Sequence, residues 1–145
     1  TLFPIGRLDC NTSGIIIITN DGEFANKLLQ PESNIEKEYL VQIKGMLKDE
    51  QIRQIESGII ILVDKQPYKT LPSKVRLIRQ SSQSSEFSII ITEGKKRQIR
   101  LMLEAIGHKV QSLKRIRIGT LAIEGKEGEY KEIKQEKIKE LKSLS

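Results

Sequence analysis

The chain has 145 residues, of which 37% are hydrophobic and 30% charged, as expected for one globular domain with its own core. It contains no apolar run of the roughly 20 residues that a membrane span requires. One cysteine and one histidine leave no basis for an internal disulfide or a Cys/His metal site, so we expect a metal-free, cytoplasmic protein. Lysine and arginine total 25 against 19 acidic residues, and the net charge of +6 favours nucleic acid as the partner.

The predicted elements begin with a short buried strand at 15–19, where four isoleucines precede a threonine. Asp21 is then expected to cap a short helix that ends before Pro31. Alternation predicts a strand at 38–44 with Tyr39, Val41 and Ile43 on one face.

A second helix is predicted to start at the capping residue Asp49 and to end at Gly58. Three further strands are predicted at 59–63, 74–79 and 86–92, with a compact loop from Asp64 to Lys74. The remaining predicted elements are a helix at 96–106, a strand within SLKRIRIG and a charged helix at 134–143. Because short turns join several neighbouring strands, we expect one α+β domain over 1–145, with a mixed, mostly antiparallel sheet flanked by helices.

The stretch GRLDCNTSG places Asp9 close to Arg7, just before the first predicted strand. Such a pair is often a solvated surface ion pair of small energetic value. A reactive carboxylate is the alternative, because Gly6 and Gly14 allow the backbone to approach a ligand and the strand gives a rigid mount.

The stretch EGKKRQIRLML concentrates cations at the start of a predicted helix: Lys95, Lys96, Arg97 and Arg100. The helix dipole and free amides add to this positive field, so a phosphate site is one interpretation. The other is a solvated helix face in which Arg100 pairs with Glu104 one turn later.

Tyr39 can be a core residue or a catalytic one, since it alternates with apolar neighbours. The cationic strand formed by Lys114, Arg115 and Arg117 can follow a nucleic-acid backbone or can be a charged edge strand. His108 has no second histidine or cysteine near it in sequence, so we interpret it as structural.

Four stretches together resemble the bacterial-type ribosomal RNA pseudouridine synthases. They extend through nearly the whole chain in the family's order: GRLDCNTSGIIIITNDGEFANKLLQP, EKEYLVQIKG, EGKKRQIRLMLEAIGHKVQSLKRIRIGTL and, more weakly, EGEYKEIKQEKIKEL. The resemblance implies the pseudouridine synthase catalytic fold and isomerisation of uridine to pseudouridine within RNA, without cofactor or metal.

The resemblance also implies roles for individual residues. Asp9 of GRLD corresponds to the nucleophile, which attacks either the ribose or the uracil ring. Tyr39 of the K-x-Y stretch lies against the target base and assists proton removal from C5. Arg100 pairs with Asp9, and Arg7 fills the gap that the flipped uridine leaves in the RNA. The remaining cations are expected to contact RNA phosphates: Lys95, Lys96, Arg97, Lys114, Arg115 and Arg117.

Two family features have no counterpart in this sequence: a small RNA-binding domain and a strand with a Lys-Pro-x-Gly motif ahead of GRLD. We therefore expect a catalytic domain that acts on ribosomal RNA or a pre-ribosomal particle, monomeric unless another chain completes the sheet. The alternative function is a non-catalytic RNA-binding or ribosome-assembly module on the same fold. A metal-dependent nuclease is disfavoured, because the sequence lacks clustered carboxylates or histidines.

Overall fold

A computed structural model of the chain describes residues 3–5, 8–29 and 34–122. Arg7 and the predicted helix at 134–143 lie outside the described residues. The elements, in chain order, are β1 (Phe3–Ile5), β2 (Thr12–Gly14), β3 (Ile17–Thr19), α1 (Gly22–Leu29), β4 (Lys37–Lys44), α2 (Asp49–Ser57), β5 (Ile60–Val63), β6 (Gln66–Lys69), β7 (Lys74–Gln80), β8 (Ser84–Ile91), α3 (Gln98–Ala105), β9 (Val110–Ile118) and β10 (Leu121–Ala122). None of the described helices is long and apolar enough to cross a membrane.

The main sheet has the strand order β10-β9-β4-β8-β7, and β2 adds a sixth strand beside β9. All neighbours on this path are antiparallel, whereas β2 runs parallel to β9. Two small antiparallel sheets, β1–β3 and β5–β6, complete the strand pairing of the described part of the chain. The predicted α+β class with a mixed, mostly antiparallel sheet is therefore confirmed.

The core lies on one face of the main sheet. Val41 and Ile43 of β4 are fully buried there, as the alternating pattern predicts, beside Phe87 of β8. Helices α2 and α3 cover this face through Ile55 and Met102, which are also fully buried. By leaving water, each such side chain stabilises the fold by roughly 1.5–3 kcal/mol.

Two helix ends follow their predicted chemistry. The Phe24 amide donates to Asp21 Oδ1 at 3.1 Å, which confirms Asp21 as the cap of α1. Helix α3 ends in a Schellman motif, because the His108 amide donates to the Leu103 carbonyl at 2.9 Å and Gly107 adopts φ +89°. This turn directs the chain from α3 into β9.

Several boundaries differ from prediction. The first predicted buried strand begins only at Ile17, and Ile18 is 59% exposed, since β3 belongs to a two-stranded sheet that is covered on one side. The predicted loop after β5 contains strand β6. Its Pro67 argues against a strand in the sequence, but β6 lies at a sheet edge, where proline is tolerated. The N-cap position of α2 is Lys48 rather than Asp49, and the Lys48 amide donates to the Gln51 side chain at 3.0 Å.

Strand β9 contains a bulge that the alternating sequence does not reveal. Tyr39 lies opposite Arg115 and Glu38 lies opposite Arg117, so Ile116 has no partner on β4. The extra residue reverses the alternation, and Arg115 and Arg117 point to opposite faces of the sheet. The strand also lies inside the sheet, between β4 on one side and β2 and β10 on the other, so its interpretation as an edge strand is wrong.

Candidate active site

Asp9 lies in a turn that leads directly into β2. The Asp9 carbonyl accepts a hydrogen bond from the Thr12 amide at 2.9 Å, and the Asp9 side chain is half-buried. Strand β2 then pairs with β9, with Thr12 opposite Leu113 and Gly14 opposite Arg115. Strand β2 thereby attaches the Asp9 turn to the edge of the main sheet, whereas the strand predicted at 15–19 as the mount begins only at Ile17, in a separate two-stranded sheet.

Gly14 is required by the strand next to it. Its φ is +121°, and a Cβ at this position would lie 2.2 Å from the backbone oxygen of Arg115. The close approach at this glycine is therefore to the β9 backbone, whereas the sequence predicted an approach to a ligand.

Arg100 connects helix α3 to the Asp9 turn. Arg100 is 7% exposed, and its Nη2 donates to the Asn11 carbonyl at 2.7 Å. Arg100 Nε is buried without a hydrogen-bond partner. Of the ion pairs that the described residues form, none joins Arg100 to Asp9 or to Glu104. The structure thus joins the RQIR stretch to the turn that Asp9 begins, through the Asn11 backbone carbonyl.

The cations before α3 divide into separate groups. Arg97 has a left-handed backbone with φ +56°, so the helix begins at Gln98 rather than at Lys96. Lys95 Nζ lies 4.9 Å from the centre of the Tyr68 ring, a cation–π contact, and Lys96 is exposed.

A polar pocket of about 210 Å³ opens beside Arg97 and Arg100. Its other lining residues are Asn11, Glu104, Lys109, Val110 and Gln111. Three cations therefore meet one acid around it, an arrangement that attracts anions. Lys109 was not predicted as a site residue, because in the sequence it is a single lysine in the turn after Gly107.

Tyr39 lies on the core face of β4, half-buried against the main hydrophobic cluster. Its partner on β9 is Arg115, which is only 5% exposed and whose guanidinium donates to the Ile15 carbonyl.

Arg117 is bound to Glu38 at 2.9 Å and Glu36 at 3.2 Å on the other face of the sheet. Both guanidinium groups are therefore occupied by this chain, while Lys114 forms no ion pair with a described residue.

Glu93 is a buried carboxylate that the sequence analysis missed. It is 2% exposed and accepts hydrogen bonds from the Tyr68 hydroxyl, the Leu71 amide and the Gln98 side chain. Burial lowers the pKa of Lys37, the charge on Arg115 lowers it further, and Glu93 acts in the opposite direction. The one indication of Glu93 in the sequence is that it lies two residues before the cationic run that begins at Lys95.

Other titratable groups form no metal site in the described segments. His108 Nε2 lies 3.0 Å from Gln51 Oε1, which fits its structural interpretation. No group of three or more histidine, cysteine or acidic side chains lies close enough to hold a metal among the residues that the structure describes.

The sequence model of the family described as RNA pseudouridylate synthase matches residues 1–105. The chain belongs to this family. Ribosomal large subunit pseudouridine synthase B of Bacillus subtilis (strain 168) is 41% identical over 147 residues, which cover 99% of this chain and 59% of that protein. An uncharacterized RNA pseudouridine synthase of Aquifex aeolicus (strain VF5) is 35% identical, with 97% of this chain and 55% of the relative covered.

Solved pseudouridylate synthases share the fold. A crystal structure of a pseudouridylate synthase superimposes with a TM-score of 0.86 at 30% identity, covering 97% of this chain and 59% of the other. A Cbf5–Nop10–Gar1 complex gives a TM-score of 0.65 at 18% identity over 86% of this chain and 42% of the other, a likeness of fold alone. The chain spans less than two thirds of the length of these RNA pseudouridylate synthase relatives.

Proposed function

We propose that this chain is the catalytic domain of an enzyme that isomerises a uridine of ribosomal RNA to pseudouridine, with Asp9 as nucleophile. Membership of the RNA pseudouridylate synthase family supports the reaction, and the relative named large subunit pseudouridine synthase B supports the substrate class. The observation that carries the assignment of Asp9 is the hydrogen bond from Arg100 to the Asn11 carbonyl, which joins two stretches 89 residues apart.

The proposed chemistry needs an ionised Asp9. Its carboxylate attacks either the ribose C1′ or the uracil ring, and the N1–C1′ bond breaks. The freed uracil turns, C5 bonds to C1′, C5 loses its proton and N1 gains one, so that Asp9 is regenerated. Because the product is an isomer of the substrate, the balance requires no oxidant, reductant or group donor, and we assign no cofactor.

We assign supporting roles in this chemistry to Arg100 and Tyr39. A cation beside Asp9 favours the charged carboxylate, and the unpartnered Arg100 Nε is the donor that we assign to it in the RNA complex. Tyr39 offers an aromatic surface for the extruded base and an oxygen near its C5 proton. Arg7 keeps its proposed role of filling the gap in the RNA.

The proposed RNA contacts are assigned to cations that form no ion pair with the described residues. Lys95, Lys96, Arg97 and Lys114 remain assigned to phosphates, and the pocket beside Arg97 adds Lys109. We withdraw Arg115 and Arg117 from this set, because their donors are engaged within the chain. The substrate would be ribosomal RNA or a pre-ribosomal particle in the cytoplasm, bound by a monomer unless another chain completes the sheet.

The test is to incubate the purified protein with ribosomal RNA from a strain that lacks its gene and to map pseudouridine by carbodiimide-dependent reverse-transcription stops. We expect one new stop with the wild type and none with Asp9→Asn. Asp64→Asn is the matched control, because Asp64 is an exposed turn carboxylate in the β5–β6 hairpin, and it should give the wild-type map. Identical maps for wild type and Asp9→Asn would refute the nucleophile. RNA binding without any new stop would favour the non-catalytic module.

A further inference from the structure

Arg115 is a buried arginine whose side chain and backbone both contact the segment that follows Asp9. We propose that Arg115 is a positioning residue that does not bind RNA. It holds residues 8–16, the segment that carries Asp9, against the paired strands β4 and β9, of which β4 carries Tyr39. This inference rests on the proposed function, because it assumes that Asp9 and Tyr39 act on the same uridine.

Arg115 contacts the segment that carries Asp9 through one residue, Ile15. Ile15 donates its amide to the Arg115 carbonyl at 3.0 Å. The Ile15 carbonyl accepts from Arg115 Nε at 2.9 Å and from Nη2 at 2.7 Å. Both backbone groups of Ile15 are thus held by the same arginine, and a lysine could not reproduce the two-pronged contact.

Gly14 makes the contact possible. The Arg115 backbone occupies the space in which a side chain of residue 14 would stand, with its oxygen 2.2 Å and its nitrogen 2.5 Å from an ideal Cβ. Any larger residue would move β2 away from β9, and the Asp9 turn would move with it. Gly14 and Arg115 therefore hold the same contact between β2 and β9, which we call the seam.

The bulge at Ile116 gives Arg115 its direction. It places Arg115 on the core face, opposite Tyr39, while Arg117 faces Glu38 on the other side of the sheet. At 5% exposure the Arg115 side chain is withdrawn from any phosphate that could reach the surface. Arg115 thus contacts Ile15, directly after β2, through its side chain, and it lies opposite Tyr39 in the strand register.

Because Arg115 fixes the position of Asp9, removal of its side chain should lower kcat and leave the RNA affinity unchanged. A displacement near 1 Å can reduce a rate about 100-fold. A phosphate contact would behave differently, because removing it weakens binding and reduces the slope of log affinity against log salt concentration by about 1.

The experiment compares Arg115→Met, Gly14→Ala and Lys114→Met in the full-length protein. Three quantities are measured: amide exchange of residues 8–16, RNA affinity as a function of salt, and kcat at saturating RNA. For Arg115→Met and Gly14→Ala we expect at least 10-fold faster exchange and a loss of kcat near 100-fold. RNA affinity should stay within about twofold, with an unchanged salt slope. Lys114→Met, the neighbouring cation on the same strand, should reduce the slope and leave the exchange of 8–16 unchanged.

A reduced salt slope in Arg115→Met, or wild-type exchange in both seam variants, would overturn the proposal. Gly14→Ala keeps the test decisive if Arg115→Met fails to fold, since it disturbs the same seam without removing a charge. A wild type that binds RNA but forms no pseudouridine would refute the proposed function, and the exchange and salt measurements would still decide the role of Arg115.

Discussion

Glu93 provides the sharpest stability prediction, because one buried carboxylate joins three segments. It accepts from Tyr68 of β6, from the Leu71 amide in the connection to β7, and from Gln98 in the first turn of α3. Glu93→Ala leaves all three donors without their acceptor. The start of α3, which carries the candidate site cations, then loses its tie to the β5–β6 hairpin.

The magnitude follows from where each donor lies. A hydrogen bond to a charged acceptor contributes about 1.5–3 kcal/mol, and a part-buried donor that water can reach loses about 1 kcal/mol. The bond from Gln98 is buried, and those from Tyr68 and Leu71 are part-buried. The sum gives a loss of about 3.5–5 kcal/mol in the free energy of unfolding for Glu93→Ala. Glu93→Gln keeps one carbonyl acceptor and should lose about 1.5–3 kcal/mol.

The assay is urea unfolding followed by circular dichroism, with the m-value checked for two-state behaviour. Glu104→Gln is the control, because Glu104 is an exposed acid on the same helix, and it should change stability by less than about 0.5 kcal/mol. A Glu93→Ala variant within about 1 kcal/mol of the wild type would show that the three hydrogen bonds do not hold these segments together.

Two further predictions concern pH and the core. The hydrogen bond to Glu93, with a smaller contribution from burial, raises the pKa of Tyr68 to about 12. An unfolded tyrosine titrates near 10, so this bond stabilises the fold fully below about pH 10, and the contribution is lost as pH rises towards 12. Ultraviolet titration of wild type against Tyr68→Phe should show one phenol with this high pKa, and a normal value would contradict the prediction. Ile55→Ala should destabilise by about 2–5 kcal/mol in urea unfolding, because Ile55 is fully buried, and a loss below about 1 kcal/mol would contradict its place in the core.

Local patterns predicted the parts of the fold that local physics determines. Alternation at 38–44 identified β4 and its buried Val41 and Ile43, because a strand with one covered face repeats every two residues. Gly107 identified the end of α3, since the left-handed turn there favours glycine. Short turns between neighbouring strands predicted the α+β class, and the resemblance to the family added the pseudouridine synthase fold.

Other features depend on tertiary pairing and leave no local trace. The bulge at Ile116 exists only relative to β4, so a regular alternation of arginine and isoleucine concealed two arginines with opposite orientations. Likewise, nothing near Arg100 indicates that its guanidinium binds the Asn11 carbonyl. The site residues named from the sequence stay predictions, whereas the engagement of Arg115 and Arg117 by partners within the chain was not predictable.

The most direct test of the central claim is release of tritium from ribosomal RNA labelled at C5 of uridine. Formation of the C5–C1′ bond expels the C5 hydrogen into water, so each isomerisation releases one label. We predict release by the wild type and none by Asp9→Asn, although both bind the RNA. Equal release by the two proteins, or no release by a wild type that binds the RNA, would contradict the account.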